Sequence, residues 1–282
     1  MASKPTETAP ARNDPELLAE LRARYLDLLV GALTHTLYSP VDTRPMPEEV
    51  QRAIREELER TGEPLELRSP EEERAEGRDR PMYAQTMIGL KRIQSLRECA
   101  ETVLDDGVPG DFVEAGAWRG GASLLLRGVL AARGDRERRV YVADSFQGLP
   151  PPDADRYPED AGDVNHLEKE LAVPLEEVTA NFERYGLLDD QVRFVQGWFK
   201  DSLPGLADRE WALIRLDGDL YESTMDGLRN LYPRLQPGGF LIVDDYGFDN
   251  CRAAVEDYRR EHEISEPIQR IDWVGAFWRR RD

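Results

Sequence analysis

Residues 111–130 read DFVEAGAWRGGASLLLRGVL, and this stretch decides the fold. The apolar run around Val113 is short enough for a strand, whereas Ser123 to Leu130 is an apolar segment long enough to begin a helix. Between them lies a glycine-rich strand-to-helix turn, Gly116-Ala117-Trp118-Arg119-Gly120-Gly121. Gly116 can take a turn conformation closed to other residues, and the bare Gly120 and Gly121 let a ligand approach the backbone at the helix start. The spacing is Gly-x-x-x-Gly-Gly. A dinucleotide turn has Gly-x-Gly-x-x-Gly, so a nicotinamide dehydrogenase is disfavoured.

The same alternation continues downstream. RVYVADSF precedes a long irregular stretch, LEEVTANFERYG precedes QVRFVQGW, WALIRLDGD precedes TMDGLRNLYPRL, and GFLIVDDYG precedes CRAAVEDYRREHE. Strand–helix alternation of this length predicts an α/β fold, a mostly parallel sheet with helices on both faces. Ile268 to Trp278 reads as one or two further strands at an antiparallel edge. Upstream, a helical stripe from Met87 to Val103 opens the compact domain at about residue 81. Glu16 to Leu37 reads as a helix with one greasy face. Residues 1–14 read as a disordered tail and 15–80 as an N-terminal helical or lid segment. Within it PEEVQRAIREELER suits a short helix, and SPEEERAEGRDRP an exposed, mobile connection.

Composition narrows the function. The 282 residues are 40% hydrophobic and carry 37 basic and 56 acidic side chains, a formal net charge of −19. That balance offers no grip on phosphate backbones or anionic membranes, which argues against nucleic acid or membrane partners. Neither a 20-residue apolar run nor a secretory leader is present, so a soluble, cytoplasmic protein is expected. Cys99 and Cys251 are too few for a disulfide or zinc framework and read as packed thiols. The run Arg279 to Arg281 reads as a solvated tail.

The chemistry is carried by strand ends. Asp144 closes the second strand thirty residues after Glu114 and can accept both hydroxyl protons of a ribose. Trp198, after the third strand, can wall in an adenine or pack under a loop. Two acidic clusters follow, Asp217-Gly218-Asp219 after WALIRL and Asp244-Asp245 after GFLIV. If those strands are neighbours, Asp217, Asp244 and Asp245 converge, and a dication relieves their repulsion. Oxygen-only ligands suit Mg²⁺, less well Mn²⁺ or Ca²⁺. Asp219, Asp226 and Asp249 read as helix caps or surface acids. A nucleoside cofactor beside such a metal suggests methyl transfer from S-adenosylmethionine to a hydroxyl, with Asp217 as ligand and base.

TMIGLKRI (86–93), FVEAGAWRGGAS (112–123), VYVADSFQGLP (140–150), QVRFVQGWFKDSLP (191–204), IRLDGDLYESTMDGL (214–228) and LYPRLQPGGFLIVDDYG (231–247) closely resemble the macrocin O-methyltransferase family. The resemblance runs in order from Tyr25 to Trp278. It implies a Rossmann-like class I methyltransferase domain over 81–282, acting on sugar hydroxyls of macrolide and aminocoumarin antibiotics. It further implies that Glu114, Gly116, Ala117, Trp118, Asp144, Ser145, Gly148, Gly197 and Trp198 line the S-adenosylmethionine pocket, closed by Thr86, Met87 and Ile88. Asp217, Asp244 and Asp245 would hold Mg²⁺. Metal-dependent catechol-type methyltransferases use Asp, then Asp-Asn, where this chain has Asp at the third position.

The family's N-terminal helices form oligomer interfaces and acceptor pockets, so a homodimer or larger homo-oligomer is expected. The small-molecule glycoside acceptor would lie over the metal, against the loop from Pro150 to His166 and its Tyr157 and His166. The base remains open among Asp217, Asp219 and His166. His35 and His262 read as structural or surface residues. Two other readings stand beside the sugar O-methyltransferase: one with a phenolic or catechol acceptor, and a non-catalytic cofactor-binding regulator.

Overall fold

The computed structural model describes residues 14–38 and 70–281. The N-terminal tail and the helix expected in residues 47–60 lie outside the described residues. Five parallel strands, β1 (Asp111–Ala115), β2 (Val140–Asp144), β3 (Val192–Gln196), β4 (Trp211–Leu216) and β5 (Leu235–Val243), form the sheet with the short β6 (Gln269–Arg270) and β7 (Ala276–Arg279). Their order is β3-β2-β1-β4-β5-β7-β6. β7 runs antiparallel to β5 and β6 antiparallel to β7, the edge expected from the sequence.

Side-chain alternation divides the sheet between two cores. Phe112, Val140 and Val142 face one with the helices α1 (Pro15–Leu33), α3 (Leu90–Asp105), α4 (Gly121–Arg133) and α5 (Leu175–Arg184). Val113, Tyr141 and Ala143 face the other with α7 (Tyr221–Leu231) and α8 (Asp249–Glu261). The four-residue α6 (Phe199–Ser202) follows β3. The intervening α2 spans Pro70–Glu76. Both cysteines are buried. Among the described residues no helix is long and apolar enough to cross a membrane.

Asp14 caps α1, its Oδ1 accepting from Glu16 N at 3.0 Å. Leu26, Leu29, Val30 and Leu33 are buried, while Leu17, Leu18, Leu21 and Leu28 are exposed. The single greasy face expected there is therefore two stripes, and one of them is covered within this chain.

Two expectations based on charge are corrected. Residues 70–81 are not a mobile connection: α2 buries Arg74, whose Nη2 donates to the main-chain oxygens of Met87 (2.8 Å) and Ile88 (2.5 Å). Arg279 and Arg280 are not a solvated tail. Arg279 Nε donates to Gly238 O at 2.8 Å, and Arg280 Nη1 to Leu235 O at 2.6 Å. In both places, main-chain carbonyls replace the water that a charge run ordinarily keeps.

Candidate active site

Register brings the site together. Ala115 pairs with Ala143 on one side and with Leu216 on the other, and Leu216 pairs with Val243. Gly116, Asp144, Asp217 and Asp244 thus share one rim, at the crevice where chain order reverses between β1 and β4.

A cleft opens above this rim. Of the residues expected at a cofactor, Met87, Gly116, Trp118, Asp144, Ser145, Gly148 and Trp198 form its wall, together with Asp217. Gly116 has φ +98, and a side chain there would overlap the main-chain oxygen of Asp217. Arg119 Nη1 donates to the carbonyls of Met82 (2.8 Å) and Ala84 (2.9 Å), and Gly121 N to that of Gln85 (3.0 Å). These bonds hold the 82–88 segment against the turn. Within it Met87 reaches the cleft, while Thr86 and Ile88 are buried and Thr86 Oγ1 accepts from Ile88 N.

Asp144 accepts from Ala117 N (2.7 Å) through Oδ2 and from Phe146 N (2.7 Å) through Oδ1. Burial pushes its carboxyl up, against those amides, which favour the anion. Ser145 donates to Gly148 O at 2.7 Å, which shapes the turn that follows. Ala117 and Gly197 are not among the residues that line the cleft.

Glu114 does not line the pocket. It is 1% exposed, its Oε2 accepting from Ser123 N at 2.9 Å and its Oε1 from Arg215 Nη1 at 2.6 Å. Burial pushes it up to about 7 in spite of these partners. Its place is beneath the turn, joining β1 to β4 and α4.

One oxygen each from Asp217, Asp244 and Asp245 lie within 4.8 Å of one another. Two buried arginines border them. Arg215 reaches Asp217 (2.9 Å) and Asp244 (2.6 Å), and Arg92 of α3 pairs with Asp244 and, through Nε, with Asp272 (2.9 Å). Against the cost of burial, these guanidiniums hold Asp244 below the usual carboxylate range. Asp245 has no such partner: burial and then the charges of Asp219, Asp217 and Asp244 push it far up. Asp219, whose N donates to Asp245 Oδ2 at 3.1 Å, is pushed up to about 8 by burial and neighbouring acids. The arginines therefore leave negative charge uncompensated. An all-oxygen set with that excess fits a hard dication. Asp219 is no surface acid, since it has φ +59 and forms part of the cleft wall.

Tyr157 and His166 do not line the cleft either. Tyr157 packs on Tyr221 with ring centroids 5.8 Å apart, and His166 Nδ1 is buried without a hydrogen bond. Their loop is held by Asp160, whose carboxylate accepts from Tyr221 N (2.6 Å), Glu222 N (3.1 Å) and Asn250 Nδ2 (3.0 Å).

Arg92, Arg215 and Asp160 were missed in the sequence. The first two carried a signal, each being a charge inside an apolar pattern, Arg215 within WALIRL and Arg92 beside Ile93 and Leu96. Asp160 carried none, because its partners lie 61 and 90 residues away.

Known proteins agree with this geometry. The macrocin-O-methyltransferase (TylF) family model matches residues 22–280. An 8-demethyl-8-(2,3-dimethoxy-α-L-rhamnosyl)-tetracenomycin-C 4'-O-methyltransferase of Streptomyces olivaceus is 54% identical over 261 residues, 92% of this chain and 94% of that protein. A mycinamicin III 3''-O-methyltransferase of Micromonospora griseorubida is 52% identical over 213 residues, 74% of this chain and 84% of that protein. The structure of the O-methyltransferase NovP superposes with a TM-score of 0.81 at 45% identity, covering 93% of this chain and 100% of that one. The glycine turn, the cleft and these matches lead to one conclusion: the chain belongs to the macrocin-O-methyltransferase family and is an S-adenosylmethionine-dependent O-methyltransferase.

Proposed function

We propose that the chain methylates a sugar hydroxyl of a glycosylated natural product, with Mg²⁺ held by Asp217, Asp244 and Asp245. The observation that carries this reading is the carboxylate triad at the rim of the cofactor cleft, with one member, Asp217, also on the cleft wall. The name of the Streptomyces olivaceus relative supports a sugar acceptor, since it specifies the 4'-position of a rhamnosyl compound.

A bound dication would supply Lewis-acid polarisation of the acceptor hydroxyl. The chain's own groups do the rest. Asp217 takes the hydroxyl proton, its carboxylate oriented by Arg215. Arg92 and Arg215 fix Asp244, so the triad does not rearrange when charge moves. Asp144, oriented by the amides of Ala117, Trp118 and Phe146, faces the cleft as the acceptor for a ribose diol. Met87 and Trp118 wall the cleft near the glycine turn, and Trp118 Nε1 ties that wall to the loop through Glu170 O at 2.9 Å. Binding geometry of this kind supplies much of the acceleration of an in-line transfer.

The test is to incubate purified protein with S-adenosylmethionine, Mg²⁺ and a panel of antibiotic glycosides and their aglycones, read by mass spectrometry. One added methyl on a glycoside, absent from its aglycone, is expected. Methylation of phenolic aglycones alone would overturn the sugar acceptor.

A further inference from the structure

The far end of the cleft holds acidic groups to which no role has yet been given. Glu222 of α7 is 8% exposed and forms part of the wall, yet its carboxylate has neither a hydrogen bond nor an ion pair among the described residues. One turn further, Asp226 lies on the same wall, its carboxylate equally without a partner. Like charges four residues apart on a helix repel, and a buried polar group without a partner is costly. Burial and then Glu222 push Asp226 up to about 6. Arg229, Arg156 and Lys200 act on Asp226 in the opposite sense, and of these Lys200 of α6 shares the cleft wall. Two carboxylates without a hydrogen-bond donor on one cleft wall are suited to a ligand that brings one.

The sheet indicates which part of a ligand arrives there. With the reacting methyl at Asp217 just after β4 and the ribose at Asp144 on β2, the strand order carries the base onward to the end of β3, where Trp198 precedes α6. Helices α6 and α7 pack together, and Phe199 reaches toward Gly218. The edge of a base lodged by Trp198 therefore meets α7. Adenine presents an exocyclic amine, a donor, beside ring nitrogens that accept. Carboxylates complement the amine and a lysine complements a ring nitrogen.

We propose that Glu222, Asp226 and Lys200 read the amine edge of the cofactor's adenine, so that this end of the cleft rejects a 6-oxo purine. The proposal rests on the cleft's holding S-adenosylmethionine. A 6-oxo base would turn a carbonyl oxygen toward two carboxylates and a protonated ring nitrogen toward the lysine that matches adenine's bare one.

Calorimetric titration with S-adenosyl-L-homocysteine and S-inosyl-L-homocysteine tests this without turnover. The unaltered protein is expected to prefer the adenosyl ligand by about tenfold or more. In the Glu222→Ala/Asp226→Ala double variant the preference falls to within about twofold, while inosyl binding is kept or improved and so reports an intact cleft. Should the double variant not fold, Asp226→Ala alone is expected to cut the preference to about threefold. Equal affinities in the unaltered protein, or an undiminished preference in a folded variant, would overturn the proposal. Binding of neither ligand by the unaltered protein would instead remove the cofactor reading beneath it.

Discussion

Arg92 of α3 and Asp244 at the end of β5, 152 residues apart in sequence, form a buried ion pair that ties one member of the acidic triad to α3. Arg92 is itself fixed: Nε donates to Asp272 at 2.9 Å, and Asp272 accepts from Val274 N (3.0 Å) and Gly275 N (2.7 Å). Arg92→Ala leaves two buried carboxylates without this partner, and a loss of about 3–5 kcal/mol in urea unfolding is expected. Arg92→Lys keeps the charge but not the fork between the two acids. It should retain most of the stability and lose about 10- to 100-fold in divalent-ion affinity, measured by Mn²⁺ titration. Unchanged ion affinity in a folded Lys variant would show that Arg92 does not position the triad.

Gly116 has the tightest constraint of the glycine turn. Gly116→Ala drives a methyl into the main-chain oxygen of Asp217, so both the strand end and the cleft must shift. We expect poor folding or complete loss of S-adenosylhomocysteine binding. Gly107→Ala is the control: φ is +65 but nothing lies within 4 Å of the added carbon. It should cost only the backbone strain, about 1–2 kcal/mol, and leave binding unchanged. Thermal unfolding with and without ligand separates the two.

The glycine turn and the acidic pairs were legible because a parallel sheet aligns its strand ends, so residues just after apolar runs share a rim whatever their separation in sequence. Asp217, Asp244 and Asp245 could be brought together on that ground. Side-chain direction was less accessible. Glu114 precedes Gly116 by two residues, but its carboxylate turns under the sheet to Arg215 and Ser123. Arg74 sits in a run of acids that looked solvated, and its burial depends on two carbonyls at residues 87 and 88. Tyr157 and His166 lie on a loop without periodicity, and only the fold shows that they pack away from the cleft wall. Glu222 and Asp226 share one helical face by spacing alone, yet nothing in the sequence told that face from an exposed one.

Asp160 pins the loop over the cleft to the start of α7. It is 1% exposed and holds two helix-start amides as well as Asn250, whose Nδ2 also donates to Asp219 O at 2.9 Å. Asp160→Ala leaves those donors buried and is expected to cost about 1–3 kcal/mol. It should also free the loop. Faster cleavage by limited proteolysis within residues 150–171, and a raised KM for acceptor with a smaller change for cofactor, are the expected results. An unchanged cleavage pattern would show that the loop is held elsewhere.

Acid stability has a traceable contributor in Asp189. Hydrogen bonding from Arg127, partly offset by burial, holds its carboxyl below the ordinary value of 3.8. A carboxyl lowered on folding stabilises the protein above its unfolded value, and that contribution fades as pH falls through the folded one. The stability gap between the unaltered protein and Asp189→Asn should therefore be constant near neutrality and narrow below about pH 4. Urea midpoints measured across this range test the sign. A gap that widens on acidification would refute it.

In the proposed reaction, oxygen ligands from Asp217, Asp244 and Asp245 hold a dication required for methyl transfer. The most direct measurement is the rate of transfer from labelled S-adenosylmethionine by exhaustively chelated protein, before and after Mg²⁺ is returned, with Asp217→Asn in parallel. Background transfer after chelation, recovery with Mg²⁺, and no recovery in the variant, which still binds S-adenosylhomocysteine, are expected. Full activity in the chelated protein would refute the metal requirement.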